Sequence, residues 1–207
     1  MNKVVALLGG KRAADAFRKT VSGDPTGAPA WAQQMAIGND VGLFGPDSAV
    51  WEVHGSISTL VGGIRALLMQ AAHPAALTGV AEHSQYDTDP LGRLERTTRW
   101  LTITTLGSTE AIEREARRVN ELHSHVKGEY PAKDGKAAPY SARDARHLLW
   151  VHCAFTDSFL RAQIELGYPI ALGADRYVQE WAKSAVPLGL NNAPQSASEL
   201  KETIAGF

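Results

Sequence analysis

Residues 108–127, STEAIEREARRVNELHSHVK, contain the start, the apolar face and the end of one helix. Ser108 is a typical N-cap residue, the glutamates after it suit the positive end of the helix dipole, and Gly128 ends the helix. The apolar positions recur every three or four residues, which places them on one stripe of an α-helix. We therefore predict an amphipathic helix that buries the stripe formed by Ile112, Ala116, Val119, His123 and Val126.

The same signals continue on both sides of this segment, and they predict an all-α protein. Asp89 followed by Pro90 is a strong helix start, and Ser141 with Asp144 resembles a capping box. No run of alternating β-branched residues stands between turn signals, so we predict no strand, and residues 128–139 are expected to form a loop. The predicted helices are 10–19, a short one ending near Val53, 57–73, 75–83, 90–106, 108–127, one ending near Leu166, 174–185 and a short one after Ser196 or Ser198.

The chain length and composition predict one globular domain preceded by an arm. A chain of 207 residues is expected to form one domain of roughly seven to nine helices. Residues 21–30, VSGDPTGAPA, are rich in Gly, Pro and small residues, which is typical of a linker. We therefore expect residues 1–40 to form an N-terminal arm with a short helix and residues 41–207 to form the helical domain.

Two adjacent glycines, Gly62 and Gly63, interrupt the apolar run of helix 57–73. Glycine inside a helix costs stability, because it loses more conformational freedom on folding than other residues. We interpret the pair as a place where another backbone or a flat ligand must come close.

The charge and cysteine content exclude several classes of protein. The chain has 21 Lys and Arg against 22 Asp and Glu, so no basic surface for nucleic acid or an anionic membrane is expected. Cys153 is the one cysteine, which excludes an internal disulfide and a multi-cysteine metal site. No apolar run is long enough to span a bilayer, and the run Val4–Leu8 is short for a signal peptide. We therefore expect a cytoplasmic protein.

The seven histidines are the most informative residues for chemistry. His123 lies on the apolar stripe of helix 108–127, whereas His125 points almost to the opposite side. His152 is also expected to face the core, and His54 and His147 are expected at the surface or at helix ends without a role. A histidine on an apolar stripe is most often a satisfied core residue, and the alternative is a ligand to a metal or haem iron.

Helix 90–106 combines arginine with aromatic and apolar neighbours. Arg93, Thr97 and Trp100 share one face, and Arg96 is adjacent to Arg93. A guanidinium among such neighbours needs an anionic partner, because burying an unpaired charge is costly. The partner could be Glu95, Asp89 or Glu82 in a salt bridge, or the carboxylate of a ligand.

Three segments together resemble a known oxygenase family. They are residues 62–100, GGIRALLMQAAHPAALTGVAEHSQYDTDPLGRLERTTRW, residues 119–130, VNELHSHVKGEY, and residues 140–155, YSARDARHLLWVHCAF. The family includes the bacterial rubber oxygenases and the fungal oxygenase of the mycophenolic-acid pathway. The resemblance covers approximately residues 40–205, and the ordered set of motifs is far more specific than any one of them.

The resemblance implies a globin-like, all-α fold that holds one haem b. It implies that His123 is the proximal iron ligand and that Arg93 and Thr97 line the distal side. Arg96 stands where the rubber oxygenases have a lysine able to reach the iron, and arginine is a poor iron ligand because it stays protonated. We expect Arg96, Trp100 and His152 to contribute to cofactor binding, and Glu82 is the nearest candidate for a catalytic base.

The resemblance also implies that relatives continue for several helices beyond residue 207. We therefore expect a partly open haem pocket whose exposed apolar surface could be covered in a homodimer.

The sequence favours a haem-dependent oxygenase that uses O2 on an apolar small molecule. One alternative is a non-catalytic relative that binds an apolar ligand or a partner. Another is a metal-dependent hydrolase that uses His123, His125 and His152. No nucleophile elbow, P-loop, dinucleotide fingerprint or zinc-protease motif is present.

Overall fold

The computed structural model describes residues 3–84, 87–132 and 135–207, and within them the protein is mainly helical, as predicted. The nine α-helices of these residues include the predicted ones, and two 3-10 helices and two short strands accompany them. The helices are α1 (Lys3–Ser22), α2 (Ala49–His54), α3 (Ser58–Gln70), α4 (Pro74–His83), α5 (Pro90–Leu106), α6 (Thr109–His125), α7 (Ala145–Glu165), α8 (Ala174–Trp181) and α9 (Ala197–Ala205). The 3-10 helices are Ala30–Ala36 and Ala182–Leu188.

The caps predicted at Ser108 and Asp89 are present, whereas the capping box predicted for Ser141 with Asp144 is wrong, because Asp144 itself caps α7 and Ser141 ends the strand Ala137–Ser141. Ser108 accepts a hydrogen bond from the backbone N–H of Ala111 at the start of α6, and Asp89 accepts one from Gly92 at the start of α5. Each bond satisfies a backbone donor that the first helical turn leaves without a partner. The starts of α5 and α6 are therefore set locally, by side chains that can be read from the sequence.

Helix α7 is the centre of the core, and α3 packs along it. The main cluster of buried side chains joins α7 to α2, α8 and α9, and burial of this apolar surface is the main favourable contribution to folding. Its members are Phe44, Ala49, Val50, Val53, Cys153, Phe159, Leu160, Tyr177, Val178, Trp181 and Leu200. Among the described residues, none of the helices combines the length and hydropathy that a bilayer crossing requires.

The closest approach of α3 to α7 occurs at Gly62. A Cβ atom added to Gly62 would lie 2.7 Å from Phe159 Cδ1, 3.0 Å from Phe159 Cα and 3.1 Å from the carbonyl oxygen of Ser158. The prediction that a backbone comes close is thus confirmed for Gly62. An added Cβ at Gly63 would meet nothing within 4 Å.

The N-terminal residues pack against the helical domain. Helix α1 contacts α5, and the 3-10 helix Ala30–Ala36 contacts both α5 and α6. Trp31 is buried with Ile103 and Ala111 in a second small cluster. The proposed division at residue 40 stays a prediction.

The predicted loop 128–139 is wrong in part, because two antiparallel strands form there. Strand β1 (Lys127–Pro131) pairs with β2 (Ala137–Ser141), with Gly128 opposite Tyr140. The strands are short and contain Gly and Pro, which weaken the strand signal. Their stability comes from contact with α4, where Gly79 and Gly128 leave room for the Tyr140 ring.

The prediction that His54 lies at the surface without a role is also wrong. Its Nδ1 is 2.9 Å from Thr105 Oγ1 and its Nε2 is 3.0 Å from Tyr177 Oη. The ring packs edge-on against Trp181 and Phe159, and burial lowers the pKa of His54 to about 3. His54 therefore joins α2, α5 and α8 as a neutral side chain.

The two glycines of α3 provide a matched pair of substitutions. Gly62→Ala should destabilise the protein by about 1–3 kcal/mol, because the new methyl group overpacks the contact with Phe159. Gly63→Ala should leave stability unchanged or raise it by up to about 1 kcal/mol, since alanine favours the helix. Urea unfolding of both variants measures the difference, and equal effects at the two positions would contradict the account of the contact.

Candidate active site

One cleft of approximately 800 Å³ collects most of the residues that the sequence singled out. Its walls come from α4, α5, α6, β2, α7 and the 3-10 helix Ala182–Leu188. The volume lies within the range of about 300–1,000 Å³ that is usual for small-molecule and cofactor sites. The predicted site residues that line it are Arg93, Arg96, Thr97, Trp100, His123 and His152.

The helix α5 presents four of these residues at helical spacing. Positions 93, 96, 97 and 100 fall on one side of a helix, so Arg93, Arg96, Thr97 and Trp100 reach the same cleft. The Thr97 hydroxyl donates to the Arg93 carbonyl oxygen, 3.0 Å away. This bond uses the hydroxyl proton and leaves the oxygen of Thr97 able to accept a hydrogen bond.

The Arg93 guanidinium is held by neutral groups and forms no ion pair within the described parts of the chain. It donates to Ser84 Oγ at 3.1 Å and to Gln70 Oε1 at 3.3 Å. Burial, followed by the charge of Arg96, lowers the pKa of Arg93, although arginine remains protonated in proteins. Arg93 therefore contributes a positive charge to the cleft.

The three carboxylates proposed as salt-bridge partners of Arg93 have other positions. Asp89 lies 3.8 Å from Arg96, Glu82 accepts a hydrogen bond from Tyr140, and Glu95 lies beside Gly23 at the end of α1. None of these three carboxylates forms an ion pair with Arg93, so the salt-bridge interpretation is wrong, and the alternative of a ligand carboxylate stays a prediction.

A buried ion pair network holds α6 against α5. Glu115 is 1% exposed and pairs with Arg99 at 2.8 Å and Arg118 at 2.5 Å. Gln34 also accepts a hydrogen bond from Arg99, which adds the N-terminal segment to the network. The sequence analysis did not identify this cluster; its one local signal is the pair Glu115 and Arg118, three residues apart on α6, whereas Arg99 lies 16 residues before Glu115 on α5.

His123 lies in the last turn of α6 and presents one ring nitrogen to the cleft. Its Nδ1 is enclosed and has no hydrogen-bond partner among the described residues. Its Nε2 forms no hydrogen bond with the described residues and is not enclosed, and because the ring lines the cleft, we infer that this nitrogen faces the cleft. Burial, and then the charge of Arg143, lower the pKa of His123, which favours the neutral ring that metal ligation requires.

His125 differs from His123 as the helical pattern predicts. Its side chain is exposed, and its Nδ1 lies 2.9 Å from the carbonyl oxygen of Glu121 and 3.2 Å from Ser124 Oγ. His125 therefore already has its partners at the helix end.

His152 faces the cleft from the middle of α7. Its Nε2 is enclosed and has no hydrogen-bond partner in the part of the chain that the structure describes. Burial lowers the pKa of His152 to about 4, so the ring is neutral near pH 7. His123 and His152 thus bring two neutral imidazoles to one cleft from two different helices.

Glu82 is not among the residues that line the cleft. It accepts a hydrogen bond from Tyr140 Oη at 2.6 Å, and its side chain is 51% exposed. Tyr140 does line the cleft, and burial, followed by the hydrogen bond to Glu82, raises the pKa of Tyr140 to about 12. The sequence analysis did not identify Tyr140, because its position depends on the unpredicted hairpin.

Comparison with known proteins places this cleft within a family. No curated protein and no solved structure matches the chain. Residues 51–207 match the family model described as the catalytic domain of ER-bound oxygenase mpaB/B'/rubber oxygenase. That match includes every residue of α3 to α9 and therefore every helix that lines the cleft. Because the match covers more than half of the sequence, the chain belongs to the mpaB and rubber oxygenase family.

Proposed function

We propose that this protein is a haem-b-dependent oxygenase that uses O2 to oxidise an apolar small molecule. The family match supports oxygenase chemistry in general. The observation that carries the haem proposal is His123, which lines the cleft and whose Nε2 is neither enclosed nor hydrogen-bonded to any described residue. A neutral imidazole on a helix, with one nitrogen available, is the ligand that haem iron takes in many proteins.

The residues of the cleft fit a haem. A haem has a flat apolar ring and two carboxylates, so it needs a nitrogen ligand, apolar walls and cationic groups. His123 offers the nitrogen, Trp100 and neighbouring aliphatic side chains offer apolar surface, and Arg93 offers a charge that no carboxylate of the described residues neutralises. Arg96 adds a second charge beside it, 3.8 Å from Asp89.

When bound, the haem would supply the iron chemistry that activates O2. The chain would hold the iron through Nε2 of His123 and would contribute a fixed positive charge from Arg93. That charge stabilises negative charge that develops in the cleft, and it needs little reorganisation because Ser84 and Gln70 already orient the guanidinium. Thr97 would accept a hydrogen bond beside it.

The apolar walls and Glu82 complete the proposed site. Trp100 would exclude water, which strengthens electrostatic interactions inside the cleft. We propose Glu82 as the base, and since its carboxylate lies outside the cleft, a proton would reach it through Tyr140.

The alternatives receive less support. Among the described residues, no group of three His, Cys, Asp or Glu side chains is arranged to hold a metal ion, which disfavours the hydrolase that would use His123, His125 and His152. A non-catalytic relative would keep the cleft but would not bind haem through His123. The homodimer stays a prediction.

Haem loading of histidine variants tests the proposal directly. His123→Ala should reduce haem content to the background of a non-specific site, because the iron loses its axial nitrogen. His125→Ala is the matched control and should retain full loading, since its side chain is exposed. The measurement is the Soret absorbance per protein after reconstitution with haem. Imidazole added to the His123→Ala protein should partly restore the spectrum.

The outcome that contradicts this proposal is also clear. Absence of a Soret band in the wild-type protein reconstituted with haem would favour the non-catalytic alternative. Loss of haem in His125→Ala but not in His123→Ala would show that His125 binds the iron, which contradicts the proposal.

Arg93 is expected to matter for anions in the cleft and little for the fold. In the haem-loaded protein, Arg93→Ala should weaken azide binding about 10-fold to 100-fold, as expected for one lost charge-assisted hydrogen bond. The melting temperature should change little, because no carboxylate is left unpaired. Arg117→Ala, whose side chain is exposed on α6, is the control. A large loss of stability with unchanged azide affinity would show that Arg93 is structural.

A further inference from the structure

His152 differs from most histidines of this chain in having no hydrogen-bond partner among the described residues. Four other rings are satisfied, and His73 lies in a cluster of aromatic rings. The ring is neutral near pH 7 and lines the cleft, so a nitrogen that reaches the cleft can bind a ligand. The satisfied rings are His54, His83, His125 and His147.

The nitrogen that His152 presents is different from the one that His123 presents. In His152 the enclosed nitrogen is Nε2, whereas Nδ1 is not enclosed and forms no hydrogen bond within residues 3–84, 87–132 and 135–207. Nδ1 lies next to the residue's own backbone, where a planar macrocycle would collide with the helix. Nε2 of His123 lies at the far end of its ring and can reach a metal. The two histidines are therefore suited to different tasks, His123 to a metal and His152 to a hydrogen bond.

The position of the ring proton follows from the burial of Nε2. Buried N–H groups without an acceptor are rarer in proteins than buried acceptors without a donor. A neutral ring therefore keeps its proton on Nδ1 and leaves only a lone pair at the enclosed Nε2. His152 then offers one N–H donor to the cleft.

The surroundings of His152 make this donor distinctive. Much of the cleft lining is apolar, and it includes residues of α5, of α7 and of the segment that follows α8. In such a site a small number of polar groups fix the orientation of an otherwise apolar ligand. The apolar lining residues of these three elements include Trp100, Leu148, Val151, Phe155, Leu188 and Leu190.

We propose that Nδ1–H of His152 donates a hydrogen bond to an oxygen of the substrate, so that the substrate is an apolar molecule carrying a carbonyl or hydroxyl group. This inference rests on the proposed oxygenase function, since it names the substrate class of the same cleft. A pure hydrocarbon would leave the N–H unpaired, and sites built to bind an oxygen reject analogues that lack it.

A pair of ligands that differ by one oxygen tests the proposal. Isothermal titration of the haem-loaded protein gives a dissociation constant for 2-octanone and one for n-octane. The dissociation constant of n-octane divided by that of 2-octanone measures the preference for the oxygen, and this ratio is compared among variants. His152→Phe and His152→Leu remove the donor and should lower this ratio about 10-fold, as expected for one buried hydrogen bond. His152→Asn keeps an N–H donor and should retain most of the wild-type ratio. His125→Phe is the control for changing a histidine at the cleft rim.

Each outcome decides the question. The role of His152 would be overturned if the ratio stays unchanged in both His152→Phe and His152→Leu. It would also be overturned if the ratio falls equally in His125→Phe, or if the wild-type protein binds neither ligand. Circular dichroism melting of each variant verifies folding, and the leucine variant serves if phenylalanine overpacks the site. If the protein takes up no haem, the proposed function fails, whereas the same ratio measured without haem still reports on His152.

Discussion

The buried carboxylate of Glu115 is the constraint on which the geometry of the cleft depends. A carboxylate that is 1% exposed must be paired, because an uncompensated buried charge is strongly destabilising. Arg99 reaches it from α5 and Arg118 from α6 itself, so the two helices are joined at this point. With this joint in place, Arg93 on α5 and His123 on α6 open to the same cleft.

The opposite wall depends on the contact between α3 and α7. Gly62 lets α3 approach the backbone of α7 at Phe159, and Arg65 of α3 pairs with Asp157 of α7 at 2.6 Å. Trp150 on α7 donates to the carbonyl oxygen of Gln70 at the other end of α3. These contacts fix α7 along its length, and α7 carries His152 into the cleft.

Local signals in the sequence were sufficient for the helices and for the cleft-facing sides of α5 and α6. The caps Ser108 and Asp89 act within three residues, and the His123 stripe follows from helical rotation alone. The features that could not be predicted depend on distant partners. The partners of His54 lie 51 and 123 residues away, and both strands of the hairpin pack against α4. Glu82 contacts Tyr140, 58 residues away, for the same reason.

The central claim concerns two histidines, on two helices of one cleft, that form no hydrogen bond within the described part of the chain. It assigns iron to Nε2 of His123 and leaves Nδ1 of His152 for the substrate. The most direct measurement is a crystal structure of the haem-loaded protein with diffraction recorded at the iron absorption edge. The account predicts one anomalous peak inside the cleft, bonded to Nε2 of His123, with His152 not bonded to the iron. A peak outside the cleft, or iron bonded to His152 or His125 in place of His123, would contradict it.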